Sequence, residues 1–105
     1  MTRLATALAL LIAVAALDGS ALAQARAEQG QRYFMSNGCY GCHTVGKMGT
    51  PIGPDLSKVG AKYSRDYFER WLRDPSAQRP SAHMPTLELS PEQVTELAAY
   101  LSSLR

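Results

Sequence analysis

Asn37-Gly38-Cys39-Tyr40-Gly41-Cys42-His43-Thr44 contains C-x-x-C-H, and the rest of the 105-residue chain is best read outward from it. Two thiols three positions apart can reach two neighbouring points on one edge of a flat ring. The vinyl groups of a porphyrin offer such a pair, each able to take one thioether bond. The adjacent imidazole of His43 then falls beneath the ring centre, where an iron needs an axial ligand. The pattern is that of covalent c-type haem attachment, with Cys39 and Cys42 as thioether donors and His43 as an iron ligand. The chain has no other cysteine. A thioredoxin-like dithiol expects a βαβ setting, and no such pattern surrounds the motif. A zinc site would need a further ligand from His83 or a carboxylate, and structural zinc sites usually draw on paired motifs. A disulfide between Cys39 and Cys42 would close a tiny loop and make no use of His43.

Three helices are predicted around the motif. The first runs from about Ala25 to Asn37, with Ala27, Gly30 and Phe34 on one face and Glu28, Gln29, Gln31 and Arg32 on the other. Gly38 is its C-cap. Gly30 inside a helix costs about 1 kcal/mol relative to Ala, which points to close approach of another element. The second helix starts at the N-cap Ser64, carries Tyr67, Phe68, Trp71 and Leu72 on one side, and ends before Asp74-Pro75. The third has Ser90 as N-cap, Pro91 at the first helical position and Gln93 closing a capping box. Val94, Leu97, Ala98, Leu101 and Leu104 form its apolar stripe. The segments Val45 to Lys58 and Pro75 to Leu89 are rich in Gly and Pro and read as loops, not strands. Loops of that length in a small domain are usually functional. The fold class is therefore all-α, three main helices and long loops wrapped around one haem.

The N-terminus reads differently. Met1-Thr2-Arg3 is a short basic start, Leu4 to Leu17 is apolar apart from Thr6, and Ala21-Leu22-Ala23 has the small residues a signal peptidase needs. That order predicts a cleavable signal over 1–23, with cleavage after Ala25 as a close alternative, and a domain over 24–105. The apolar run is short for a membrane span of roughly 20 residues, which makes an uncleaved anchor the minor alternative. The formal charge of +2 is unchanged without Arg3 and Asp18, one cation and one anion. It is too small, and too scattered, to argue for nucleic acid. A domain this small buries a modest core and needs a staple, which an apolar cofactor supplies.

Taken together, these features resemble the class I cytochromes c over essentially the whole of 24–105. Gly30-x-x-x-Phe34 ahead of Cys39-x-x-Cys42-His43 matches the family's N-terminal helix. Gly53-Pro54-Asp55-Leu56 matches the loop on the His side of the haem. His83-Met84-Pro85 resembles the Met-ligand loop, and Leu97 to Leu104 resembles the C-terminal helix that crosses the first. The resemblance implies that Gly30 lets the terminal helices touch. It also implies that the Pro54 carbonyl accepts the second ring N–H of His43, a contact that fixes the tautomer.

For the sixth iron ligand the candidates are Met35, Met48, Met84 and His83. Met35 is a helix residue, and Met48 lies in the loop just past His43. Pro85 holds Met84 extended, which projects its side chain. By position and by resemblance Met84 is the ligand, and thioether ligation raises the potential. Neighbours in an extended segment point opposite ways, so His83 faces solvent if Met84 faces the iron. Leu56 and Phe34 are expected to pack on the porphyrin. Trp71 is either a propionate donor or a core residue, and Tyr63 and Arg79 are weaker propionate candidates. Lys47, Lys58 and Lys62 border the loops and serve either docking or solubility.

The resemblance implies a periplasmic one-electron carrier with a single covalent haem c and no enzymatic activity. Its partners would be redox proteins: an electron donor, and a terminal oxidase, reductase or dehydrogenase. No small-molecule substrate is expected. Two alternatives stand beside it: a haem enzyme or gas sensor with an open sixth position, and a small electron-transfer subunit of a larger complex.

Overall fold

The computed structural model describes residues 2–105, with side chains described from Gly19 onward. Most of the leader expected over 1–23, including the Leu4 to Leu17 run, lies outside the described side chains. Among the described residues the elements are α1 (Thr2–Ser36), β1 (Thr44–Val45), β2 (Met48–Gly49), α2 (Arg65–Arg73), α3 (Pro75–Gln78) and α4 (Pro91–Ser103). Single 3-10 turns occupy Cys39–Gly41 and Val59–Ala61.

The expected all-α fold is present, and its centre is the crossing of α1 and α4. Gly30 is buried there, on the face it shares with the buried Phe34. A Cβ built on Gly30 would stand 2.6 Å from the Glu96 carbonyl carbon and 2.8 Å from the Tyr100 Cβ. The glycine costs helix propensity but lets two backbones meet. Phe34, Phe68, Leu72, Val94, Leu97, Ala98 and Leu101 form one buried cluster joining α1, α2 and α4. Leu97 and Ala98, at 1 % and 0 % exposure, are its centre. Leu104 lies at the edge, half-buried at the C-cap of α4.

The helix ends follow local chemistry. The Ser90 hydroxyl accepts from the Gln93 N–H at 3.1 Å, and the Gln93 side chain accepts from the Ser90 N–H at 2.9 Å, so the capping box is complete. At α2 the Ser64 hydroxyl accepts from the Tyr67 N–H at 3.2 Å. Asp66 in the first turn and Arg70 and Arg73 in the last complement the helix dipole. α1 stops at Ser36, and Gly38 takes φ 74°, a left-handed conformation that turns the chain into Cys39.

Three features differ from the expectation. α1 begins at Thr2 rather than near Ala25; Ala and Leu are strong helix formers, so the apolar run continues the same helix. α3 interrupts what reads as loop: the Asp74 carboxylate accepts from the Ala77 N–H at 3.3 Å, with Pro75 at the first helical position. That is the same start signal as Ser90-Pro91, four residues long. The third correction is the antiparallel pair of β1 and β2, which matches Val45 to Met48 across Gly46-Lys47. Gly46 at φ 60° makes the tight reversal possible. Two residues per strand are too few for any alternation to register.

Candidate cofactor site

α2, the loop after β2, and the chain from Arg79 to Leu87 enclose a cleft of ≈ 560 Å³ against the C-x-x-C-H segment. That volume lies in the range of about 300–1,000 Å³ usual for cofactor sites. Its wall is largely apolar: Leu56, Val59, Tyr67, Phe68, Trp71, Leu72, Leu87 and Leu101. Cys39, Cys42, His43, Pro54, Met84 and His83 line the same cleft, with Tyr63, Lys62 and Arg79.

The tight turn of the Cys39–Gly41 segment sets the two thiols. The His43 N–H donates back to the Cys39 carbonyl at 2.9 Å, so the imidazole follows directly on that turn. Burial pushes the Cys39 thiol above its ordinary value, and neighbouring Cys42 adds to the effect. Such a thiol is the opposite of the acidic nucleophile that thiol-exchange chemistry needs. Among the described residues, no three His, Cys, Asp or Glu side chains converge in a way that could hold a bare metal ion. Two thiols and an imidazole along one apolar wall suit a flat ring better than a naked cation.

His43 is half-buried, and its Nδ1 lies 2.8 Å from the Pro54 carbonyl. A carbonyl only accepts, so Nδ1 carries the proton and Nε2 keeps its lone pair for a metal. Gly53 passes close beside the ring: a Cβ there would be 2.9 Å from Cε1 and 3.1 Å from Nδ1. The loop is tied to β1 by the Leu56 N–H, which donates to the Thr44 carbonyl at 2.9 Å. Asp55 Oδ1 accepts from the Thr44 hydroxyl at 3.0 Å, the Ser57 hydroxyl at 2.7 Å and the Ser57 N–H at 3.2 Å. These bonds, the Ser57 hydroxyl foremost, hold the Asp55 carboxyl below the usual carboxylate range.

Met84 is half-buried and packs against the core, while His83 beside it is exposed. The Trp71 indole N–H donates to the Met84 sulfur at 3.2 Å. Trp71, expected as a propionate donor or a core residue, here turns its N–H to the thioether. A thioether sulfur has two lone pairs, so one remains for a metal. Tyr63, Tyr67 and Trp71 follow one another at i, i+4 and i+8 along and just before α2. Their rings are close to parallel, with centroids 4.3 Å and then 6.2 Å apart.

Phe34 is the predicted pocket residue that does not line the cleft. At 2 % exposure it sits in the helix crossing, edge-on to Tyr40 at 4.8 Å and to Tyr100 at 5.5 Å. Leu56 and Pro54 do line it. Met35 and Met48 are 58 % and 56 % exposed and stand apart from it. Lys47 and Lys58 are exposed and outside the cleft, whereas Lys62 and Arg79 reach its rim. Sequence reasoning missed Tyr67, whose i+4 spacing to Trp71 was the available signal. It also missed the Thr44–Asp55–Ser57 bonds, which join loops and carry no local signal.

The family model described as Cytochrome c matches residues 27–105. A cytochrome c oxidase subunit 2 of Alkalihalophilus pseudofirmus is 35 % identical over 88 residues, covering 75 % of this chain and 26 % of that protein. The chain thus spans about a quarter of the length of the curated relative it matches.

Proposed function

The chain belongs to the cytochrome c family, and from that premise we propose that it is an exported carrier of single electrons holding one covalent haem c. The observation that carries this reading is one apolar cleft that gathers Cys39, Cys42, His43 and the Met84 sulfur. Cys39 and Cys42 would form the thioether bonds, and His43 and Met84 the axial ligands.

Bound haem supplies the Fe(III)/Fe(II) couple, and a soft thioether ligand favours the reduced state. The protein's own residues do the rest. Pro54 keeps His43 in the tautomer whose Nε2 can ligate. Trp71 steadies the Met84 side chain. Leu56 and the aromatic face of α2 would keep water from the ring, and Lys62 and Arg79 at the rim would suit the two propionates. With His43 and Met84 both holding the iron, no coordination site would be left for a substrate, and the role would be carriage rather than catalysis. The partners would be redox proteins, a donor and an oxidase, reductase or dehydrogenase. The leader over 1–23 would deliver the domain to the periplasm. A second reading, a haem-bearing electron-transfer module of an oxidase complex, is favoured by the match to the oxidase subunit.

The test is production of the full chain in a host with cytochrome c maturation, followed by an optical redox titration. A single haem transition at clearly positive potential that resists carbon monoxide at neutral pH is expected. Met84→Ala should lower the potential and admit carbon monoxide, and His83→Ala should do neither. A preparation without haem bands, or a parent protein that binds carbon monoxide, would overturn the proposal.

A further inference from the structure

Asp55 is exposed, and an exposed carboxylate is ordinarily left to water. Here one of its oxygens takes all three hydrogen bonds described above, from Thr44 and from both the hydroxyl and the N–H of Ser57. The Ser57 hydroxyl in turn accepts from the Gly46 N–H at 2.8 Å. The bonds therefore join two chain segments. Thr44 directly follows His43, and Asp55 directly follows Pro54, whose carbonyl meets the imidazole.

We propose that Asp55 is a positioning residue for His43, pinning the Pro54 carbonyl against the ring N–H and so setting the donor strength of the imidazole toward the haem iron. The inference rests on the carrier reading above. The physical case begins with Pro54, which has no N–H and cannot anchor itself by donating. Gly53 lies against the ring with no side chain of its own to hold it there. Backbone bonds tie the loop on either side of Pro54, from the Gly53 N–H to the Cys42 carbonyl and from the Leu56 N–H to the Thr44 carbonyl, and Asp55 adds a side-chain tie from the Thr44 hydroxyl that its bonds to Ser57 hold in place. Three donors on one oxygen suit an ionised carboxylate, whose bonds are charge-assisted, better than a neutral amide. A firmly held acceptor strengthens the Nδ1–H bond and makes the ligating nitrogen more basic, which favours Fe(III). Releasing it should weaken the donor and move the midpoint upward. A merely structural turn would do neither.

The test uses the haem-loaded full chain and three variants: Asp55→Ala, Asp55→Asn and Thr44→Val. Two quantities are read, the exchange rate of the His43 Nδ1–H proton by NMR of the reduced protein, and the reduction potential. Asp55→Ala should raise exchange about tenfold, the opening expected when charge-assisted bonds are lost, and shift the midpoint positive. Thr44→Val changes no charge and should move both in the same direction by less. Asp55→Asn keeps an acceptor oxygen and should restore most of the slow exchange. A potential that moves equally in both Asp55 variants, with exchange unchanged and Thr44→Val silent, would reduce the effect to lost charge and overturn the inference. So would a lower melting temperature with neither readout altered. A parent chain that takes up no haem would overturn the carrier reading and this inference with it.

Discussion

Gly30→Ala should destabilise the protein although alanine is the better helix former. In an isolated helix the change would gain about 1 kcal/mol. In the folded chain the new methyl would meet the Glu96 carbonyl carbon at 2.6 Å and the Tyr100 Cβ at 2.8 Å. Ordinary carbon contacts lie at about 3.5–4.0 Å, so the helices would have to part by roughly 1 Å. The obstacle is the α4 backbone, which has no rotamer to escape into. Separation also loosens Phe34 and Leu97, at 2 % and 1 % exposure. Overpacking costs about 1–3 kcal/mol and more when backbone must move. Taking the upper part of that range and subtracting the propensity gain leaves a loss of about 2 kcal/mol. Urea denaturation of the haem-loaded protein checks it: the midpoint should fall by about 1–2 M at unchanged slope. The melting temperature should fall by about 8–16 °C. A variant as stable as the parent, or more so, would mean that α1 and α4 do not meet at Gly30.

Trp71→Phe keeps the ring but removes the donor to the Met84 sulfur. With Met84 as the sixth ligand, losing one such bond, worth about 0.5–1.5 kcal/mol, should raise the affinity for added imidazole about two- to tenfold; an unchanged titration would deny the contact any role. Ser90→Ala removes the capping box of α4 and should cost about 0.5–2 kcal/mol in chemical denaturation, with the haem spectrum unaltered. Asp55 has a depressed folded pKa, so its contribution is present above the ordinary carboxylate value and is lost as pH falls through the lowered one. Exchange of the His43 ring proton should therefore accelerate on the acid side of pH 4, the region just below the usual carboxylate pKa, and Asp55→Asn should abolish that acid limb.

Residues close in sequence announced themselves. The C-x-x-C-H spacing carries its chemistry within five positions, and Ser90-Pro91 with Gln93 defines a helix start within four. The apolar stripe of α4 follows from the helical period and needs no partner to be recognised. Gly30 is an intermediate case: its cost to the helix shows that something must come close, but only the crossing of α1 and α4 identifies Glu96 and Tyr100. The β1–β2 pair and α3 escaped because two or four residues are too few for a period to show.

The contacts that shape the cleft were beyond any local pattern. Trp71 reaches Met84 from another element, Asp55 binds Thr44 eleven residues back, and Phe34 turns from the cleft into the helix crossing. The chain alone pointed to Cys39, Cys42 and His43 as the groups expected to meet a haem, because covalent reach along a backbone is short and regular. The packed structure decided which side chain meets which across the cleft, because those distances follow from how the helices and loops dock, and no neighbour in sequence sets them.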